Sequence, residues 1–106
     1  MAADGGRVRT VFLGSGGFGR ESLWRLDEHP DIELVGVVTA PSRPAGRGGR
    51  ETVTPIHDAA RHLDVRPILT PSRLRDEASI RAVLDLRPGL IVLADYGRLV
   101  PAPLLG

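Results

Sequence analysis

"VRTVFLGSGGFG", Val8 to Gly19, is the stretch that decides the fold. A short run rich in β-branched and apolar residues stops at glycine, which predicts a buried strand over Val8–Leu13. Gly14, Gly16 and Gly19 then spell G-x-G-x-x-G. In the segment that follows, Phe18, Ser22, Leu23 and Leu26 fall near helical spacing, and Pro30 stops the helix. Strand, glycine turn, helix is how a βαβ unit opens.

The rest of the chain repeats the alternation. "IELVGVVTA" is continuously apolar from Leu34 to Val38 and predicts a second buried strand over Leu34–Thr39. Beyond a basic connection, Thr54 fits an N-cap and Pro55 the first helical position, with Ile56, Ala59, Ala60 and Leu63 at i, i+3, i+4 and i+7. "RPILTP" contains a brief third strand, Pro67–Leu69. Asp76 and Glu77 open a third helix carrying Ile80, Val83, Leu84 and Leu86, which ends before Pro88, and "GLIVLAD" gives a fourth buried strand, Leu90–Ala94. Such alternation implies right-handed crossovers and a parallel sheet. The expected fold is α/β: a Rossmann-like three-layer sandwich with helices on both faces. Residues 1–6 read as a frayed leader, and Pro103-Leu104-Leu105-Gly106 reads as the start of an element, so the sequence is expected to be part of a longer chain.

Composition narrows the function only by exclusion. With 106 residues, 42% hydrophobic and 25% charged, the chain suits one soluble globular unit. A formal net charge of +1 gives no global attraction to nucleic acid or membrane, so any such contact must be local. There is no cysteine, hence no thiol chemistry. No apolar run approaches the ~20 residues that span a bilayer, and the N-terminus lacks a signal-peptide pattern; a cytoplasmic monomer without a membrane partner is expected. All 14 basic residues are arginine. A GC-rich coding bias explains that composition, and so would a use for bidentate phosphate contacts.

The glycine motif sits where a dinucleotide-binding turn would place it, before a helix N-terminus. The acidic residue that would hold a ribose should stand about twenty residues further on. That position is Thr39, and no carboxylate follows until Glu51. NAD is therefore not expected, whereas NADP, held through Arg43, stays open as the alternative: the dinucleotide-binding module of an NADP-dependent oxidoreductase. A tight turn in an α/β fold accounts for the same glycines.

The most informative segment is the connection "TAPSRPAGRGGRETVTP", Thr39 to Pro55. It carries Arg43, Arg47 and Arg50 among prolines and glycines and offers a core almost nothing. R-P-A-G-R-G, Arg43 to Gly48, together with "RTVFLGSGGF", "LTPSRLRD" and "LIVLADYGRLVP", resembles the N-terminal half of the catalytic domain of methionyl-tRNA formyltransferases along the whole chain. The resemblance implies formyl transfer from 10-formyltetrahydrofolate to the amino group of initiator methionyl-tRNA, in translation initiation. It makes residues 40–53 an inserted basic loop within a formyl transferase domain. Arg47 matches the loop arginine that engages the tRNA acceptor end, with Arg43 and Arg50 beside it. Ser15, Gly16, Gly17 and Phe18 of the first loop are expected on the substrate side, and Tyr96, Gly97, Arg98, Leu99 and Val100 match the folate-facing turn. The family's oxyanion and base residues belong to an Asn-x-His motif and a later aspartate beyond the segment matching Pro103–Gly106, so no catalytic residue is expected in this chain. Two positions depart from the family pattern: Gly49 and Arg50 replace a pair of lysines, and Asp95 replaces a small residue.

The remaining candidates read as structural. His57 and His62 lie about 140° apart around their helix and cannot pair on a metal; both are expected at the surface, and no metal site is expected. Trp24, one residue off the apolar stripe, is expected to be half-buried.

Overall fold

The computed structural model describes residues 6–45, 50–74 and 76–94. The elements run β1 (Val8–Leu13), α1 (Arg20–Glu28), β2 (Ile32–Val38), β3 (Arg43–Ala45), β4 (Arg50–Thr52), α2 (Pro55–His62), β5 (Ile68–Leu69), α3 (Glu77–Leu84) and β6 (Leu90–Leu93). A 3-10 turn, Gly17–Gly19, precedes α1. Strands β5, β2, β1 and β6, in that spatial order, form a parallel sheet. The predicted α/β fold is present, with strand ends displaced by one or two residues.

Neighbouring residues of β1 face opposite ways and anchor two cores. Phe12 packs with Val37 of β2, Leu23 of α1 and Ile56 and Ala60 of α2. Val11 and Leu13 pack with Val35 and Val38 of β2 and Val83 of α3 on the other side. The sheet is thus sandwiched between helices, as continuous apolar strands require. Phe12, Leu13, Leu23 and Ile56 are all fully buried, and each such side chain contributes about 1.5–3 kcal/mol.

One feature of β2 departs from a regular strand. Thr10 pairs with Leu34 but Val11 pairs with Gly36, leaving Val35 as an extra residue, a β-bulge. The bulge resets the alternation, so Leu34 and Val37 share one face while Val35 and Val38 share the other. A Cβ on Gly36 would lie 2.6 Å from Leu86 Cδ1, so glycine lets the segment after α3 close over the bulge.

Helix ends follow local chemistry. Thr54 caps α2, its Oγ1 accepting from the His57 N–H at 3.0 Å, and Pro55 occupies the first turn as predicted. At the other end the Asp64 N–H donates to Arg61 O at 3.1 Å and the Val65 N–H to Ala60 O at 3.0 Å, a Schellman closure with Asp64 at φ 59°. The Arg9 guanidinium reaches from β1 to the C-terminal end of α3, where Nη2 donates to Leu86 O at 2.6 Å.

Several expectations are corrected. Phe18 is not on the buried stripe: it lies in the 3-10 turn, before the helical phase begins, and is 92% exposed. Ser22 is exposed as well. Leu84 is 45% exposed, whereas Val83 and Ile80 pack on the core as expected. The fourth strand is not buried, for it is an edge strand of the described sheet, with Leu90 42% and Leu93 52% exposed. Residues 40–53 are not simply a loop: Arg43–Ala45 and Arg50–Thr52 pair antiparallel, with Arg43 opposite Thr52 and Ala45 opposite Arg50. Pro44 is compatible with this ribbon because each of its strands has an unpaired edge. His57 is not a plain surface residue either, being half-buried with Nδ1 enclosed and unpartnered.

Candidate functional site

The sheet order places a topological switch between β1 and β6. From β1 the chain moves outward through β2 to β5 on one side, then returns to β6 on the other. Ligands of open α/β sheets bind in the crevice at the C-terminal strand ends of such a point. Here its described walls are the Gly14–Gly19 turn after β1 and Ala94 after β6, tied to β1 by the Ala94 N–H donating to Leu13 O at 2.9 Å.

The motif glycines divide by role. A Cβ on Gly14 would lie 2.6 Å from both Ala94 O and the Phe12 ring, and one on Gly19 would lie 3.2 Å from Ala94 O and 3.3 Å from Ile56 and Phe12. These two are glycine because the turn is pressed onto the core and the end of β6. None of the motif glycines has a positive φ, so close approach rather than backbone handedness is the reason. Gly17 is different: a Cβ there would meet nothing nearer than the Arg20 guanidinium at 3.8 Å. The turn therefore presents open backbone at Gly17 next to the projecting ring of Phe18, a surface that a ligand can approach closely.

Ser15 faces inward to a hydroxyl cluster. Its Oγ accepts from the Ala40 N–H at 3.0 Å and from Thr39 Oγ1 at 3.4 Å. Thr39 Oγ1 also bonds Thr54 Oγ1 at 2.5 Å, and the Thr39 N–H donates to Leu69 O at 2.9 Å. The Ile56 N–H donates to Ser15 O at 3.4 Å, bringing the start of α2 against the glycine turn. Sequence reasoning noted Thr39 only as a missing carboxylate and Thr54 only as a cap. The available signal was a small hydroxyl residue at the end of β1, the end of β2 and the start of α2. Thr39 is fully buried, so the position from which a dinucleotide-binding fold would reach a ribose is closed to solvent.

The structure places Ser15, Gly16, Gly17 and Phe18 in the turn that walls the crevice and the backbones of Arg43 and Arg50 on the ribbon that connects β2 to α2. Arg47, Asp95 and the predicted folate-facing residues Tyr96, Gly97, Arg98, Leu99 and Val100 lie outside the described residues. Near the crevice, burial and the neighbouring Arg61 lower the His57 pKa below its ordinary value, against a smaller opposing pull from Asp58. His62 is exposed and bonded through Nδ1 to Asp58 O at 2.8 Å, away from His57. Trp24 is 53% exposed beside Arg20, Asp58 and His62 in a groove of about 310 Å³ between α1 and α2. Among the described residues no three carboxylate or histidine groups could share a metal ion, and no helix is long and apolar enough to cross a membrane.

A parallel sheet with a switch-point crevice, a glycine turn and a basic ribbon defines a Rossmann-like ligand-binding scaffold. The model of the formyl transferase family matches residues 8–106, and the chain belongs to that family. It is 46% identical over 93 residues to a methionyl-tRNA formyltransferase of Roseiflexus sp. (strain RS-1), covering 88% of this chain and 28% of that protein. A methionyl-tRNA formyltransferase of Desulfotalea psychrophila (strain LSv54 / DSM 12343) is 37% identical over 98 residues, 92% of this chain and 30% of that protein. One from Frankia alni (strain DSM 45986 / CECT 9034 / ACN14a) is 39% identical over 94 residues, 89% and 28% respectively. The chain spans less than a third of the length of these relatives.

Proposed function

We propose that this chain is the N-terminal portion of a methionyl-tRNA formyltransferase domain, acting as a monomer in the cytoplasm in translation initiation. The observation that carries the reading is the match to proteins of that name at 37–46% identity across about nine-tenths of the chain. In the reaction, the methionyl nitrogen attacks the formyl carbon of 10-formyltetrahydrofolate, the donor's carbon–nitrogen bond breaks, and the proton lost by the amine ends on the departing tetrahydrofolate nitrogen. The tetrahedral oxyanion needs positioned donors and the amine needs a base; we assign both to residues beyond this chain. The chain's own contribution is binding. Arg47, flanked by Arg43 and Arg50, contacts acceptor-end phosphates, for which the guanidinium fork is suited. Ser15, Gly16, Gly17 and Phe18 flank the substrate, and the open backbone at Gly17 supports that placement. Tyr96, Gly97, Arg98, Leu99 and Val100 hold the folate, through backbone groups for the pterin and apolar walls.

Titrating the complete protein with 10-formyltetrahydrofolate, or a stable folate analogue, and separately with NADPH tests this. Saturable folate binding without an NADPH response is expected. Tight NADPH binding with no folate response would replace the reading with an oxidoreductase module. The 106-residue chain alone is expected to transfer no formyl group, and turnover by it would contradict the assignment of catalysis to residues elsewhere.

A further inference from the structure

The basic ribbon is built from two short strands, β3 and β4. Two antiparallel strands of three residues each are marginal on their own in water, yet a ribbon that recognises a ligand must be held at a set distance from the crevice. Its two ends, however, meet at one point. Thr39 immediately precedes the segment that leads into β3, and Thr54 lies just after β4. Their hydroxyls are bonded to each other, and Ser15 of the glycine turn bonds both Thr39 Oγ1 and the Ala40 N–H. Thr39 is fully buried and Ala40 is 6% exposed, while Ser15 and Thr54 are half-buried, so water competes for these bonds less than at an open surface. Thr54 is itself fixed by capping α2, and Thr39 by its backbone bond to Leu69 O.

We infer that the Ser15–Thr39–Thr54 hydroxyl cluster is a clamp that closes the base of the β3–β4 ribbon and locks it to the glycine turn, with Thr39 as a positioning residue. Threonine suits the position because its methyl group packs at the sheet end while the hydroxyl bridges two partners. Valine has the same shape and cannot bridge. Without the bridge, the entry and exit of the ribbon are no longer joined, and the ribbon's strands open more often while the sheet beneath stays intact. Ligand groups gripped by the ribbon would then be presented less often at the crevice, which lowers apparent affinity by the fraction of time the ribbon is misplaced.

The activity arm of the test rests on the reading of the ribbon as a tRNA contact; the structural arm does not. In the complete protein, Thr39→Val should speed amide hydrogen exchange in residues 43–45 and 50–52 by about tenfold or more, with exchange in β1 and β2 unchanged relative to global stability. It should raise KM for methionyl-tRNA about three- to tenfold, the size expected for one lost hydrogen bond, while kcat at saturating tRNA changes less than about twofold. Thr39→Ser, which keeps the hydroxyl, should restore both. If Thr39→Val fails to fold, Thr54→Val, which leaves Thr39 bonded to Ser15, should show the same ribbon exchange. Ribbon exchange unaltered in the folded valine variants would overturn the clamp. Faster ribbon exchange with an unchanged KM would support the clamp and count against the tRNA reading of the ribbon instead.

Discussion

Two connections leave the C-terminal ends of the central strands, and they are built in opposite ways. The glycine turn after β1 lies directly on the core: a side chain at Gly14 would collide with Phe12 and Ala94, and one at Gly19 would press on them. The basic ribbon after β2 is a pair of three-residue strands tied at its base through Ser15, Thr39 and Thr54. The first is held by close packing, and the second is joined to the fold by hydrogen bonds at its base. Substitutions in the turn should act on stability, and substitutions in the ribbon should act on binding.

The largest effect on stability is expected in the turn. Gly14→Ala sets a methyl group against a backbone carbonyl and a buried ring, each at 2.6 Å, and neither can swing aside as a long side chain would. Overpacking of this kind costs about 1–3 kcal/mol and occasionally more. Urea denaturation should show the loss as a lower midpoint at unchanged slope, and a cost under about 0.5 kcal/mol would show that the turn is not pressed on the core. A smaller effect is expected at the start of α2. The His57 pKa is lowered in the folded state, first by burial and then by Arg61, so the unfolded chain takes up the proton first as pH falls. The corresponding stability is present above the ordinary histidine value and is lost as pH falls through the lowered one. His57→Gln should flatten the stability profile in that window, and an identical slope in the variant would sink the assignment.

The sheet was legible because parallel strands and their covering helices leave strong patterns: runs rich in β-branched and apolar residues at Val8–Leu13 and Leu34–Val38, and the capped stripe from Thr54 to Leu63. The bulge at Val35 was not, since an apolar run without alternation carries no phase to reveal an extra residue. Phe18 misled because helical spacing was extended backward across a 3-10 turn. The ribbon was hidden by its composition, as arginine, proline and glycine signal turns far more than strands. Of the site, the glycine turn was legible from its spacing. The hydroxyl cluster was not, because Ser15, Thr39 and Thr54 are brought together only by the packing of β1, β2 and α2.

The smallest expected change in stability belongs to the residue with the largest expected role in binding. If Arg47 binds rather than packs, Arg47→Ala should leave the unfolding midpoint nearly unmoved, within about 0.5 kcal/mol. The decisive measurement is the affinity of the complete protein for methionyl-tRNA across a salt series, wild type against Arg47→Ala. Weaker binding is predicted, with a log–log salt slope shallower by about one unit, as the loss of one phosphate contact requires. Equal affinity and an equal slope would contradict the claim that this ribbon grips the tRNA.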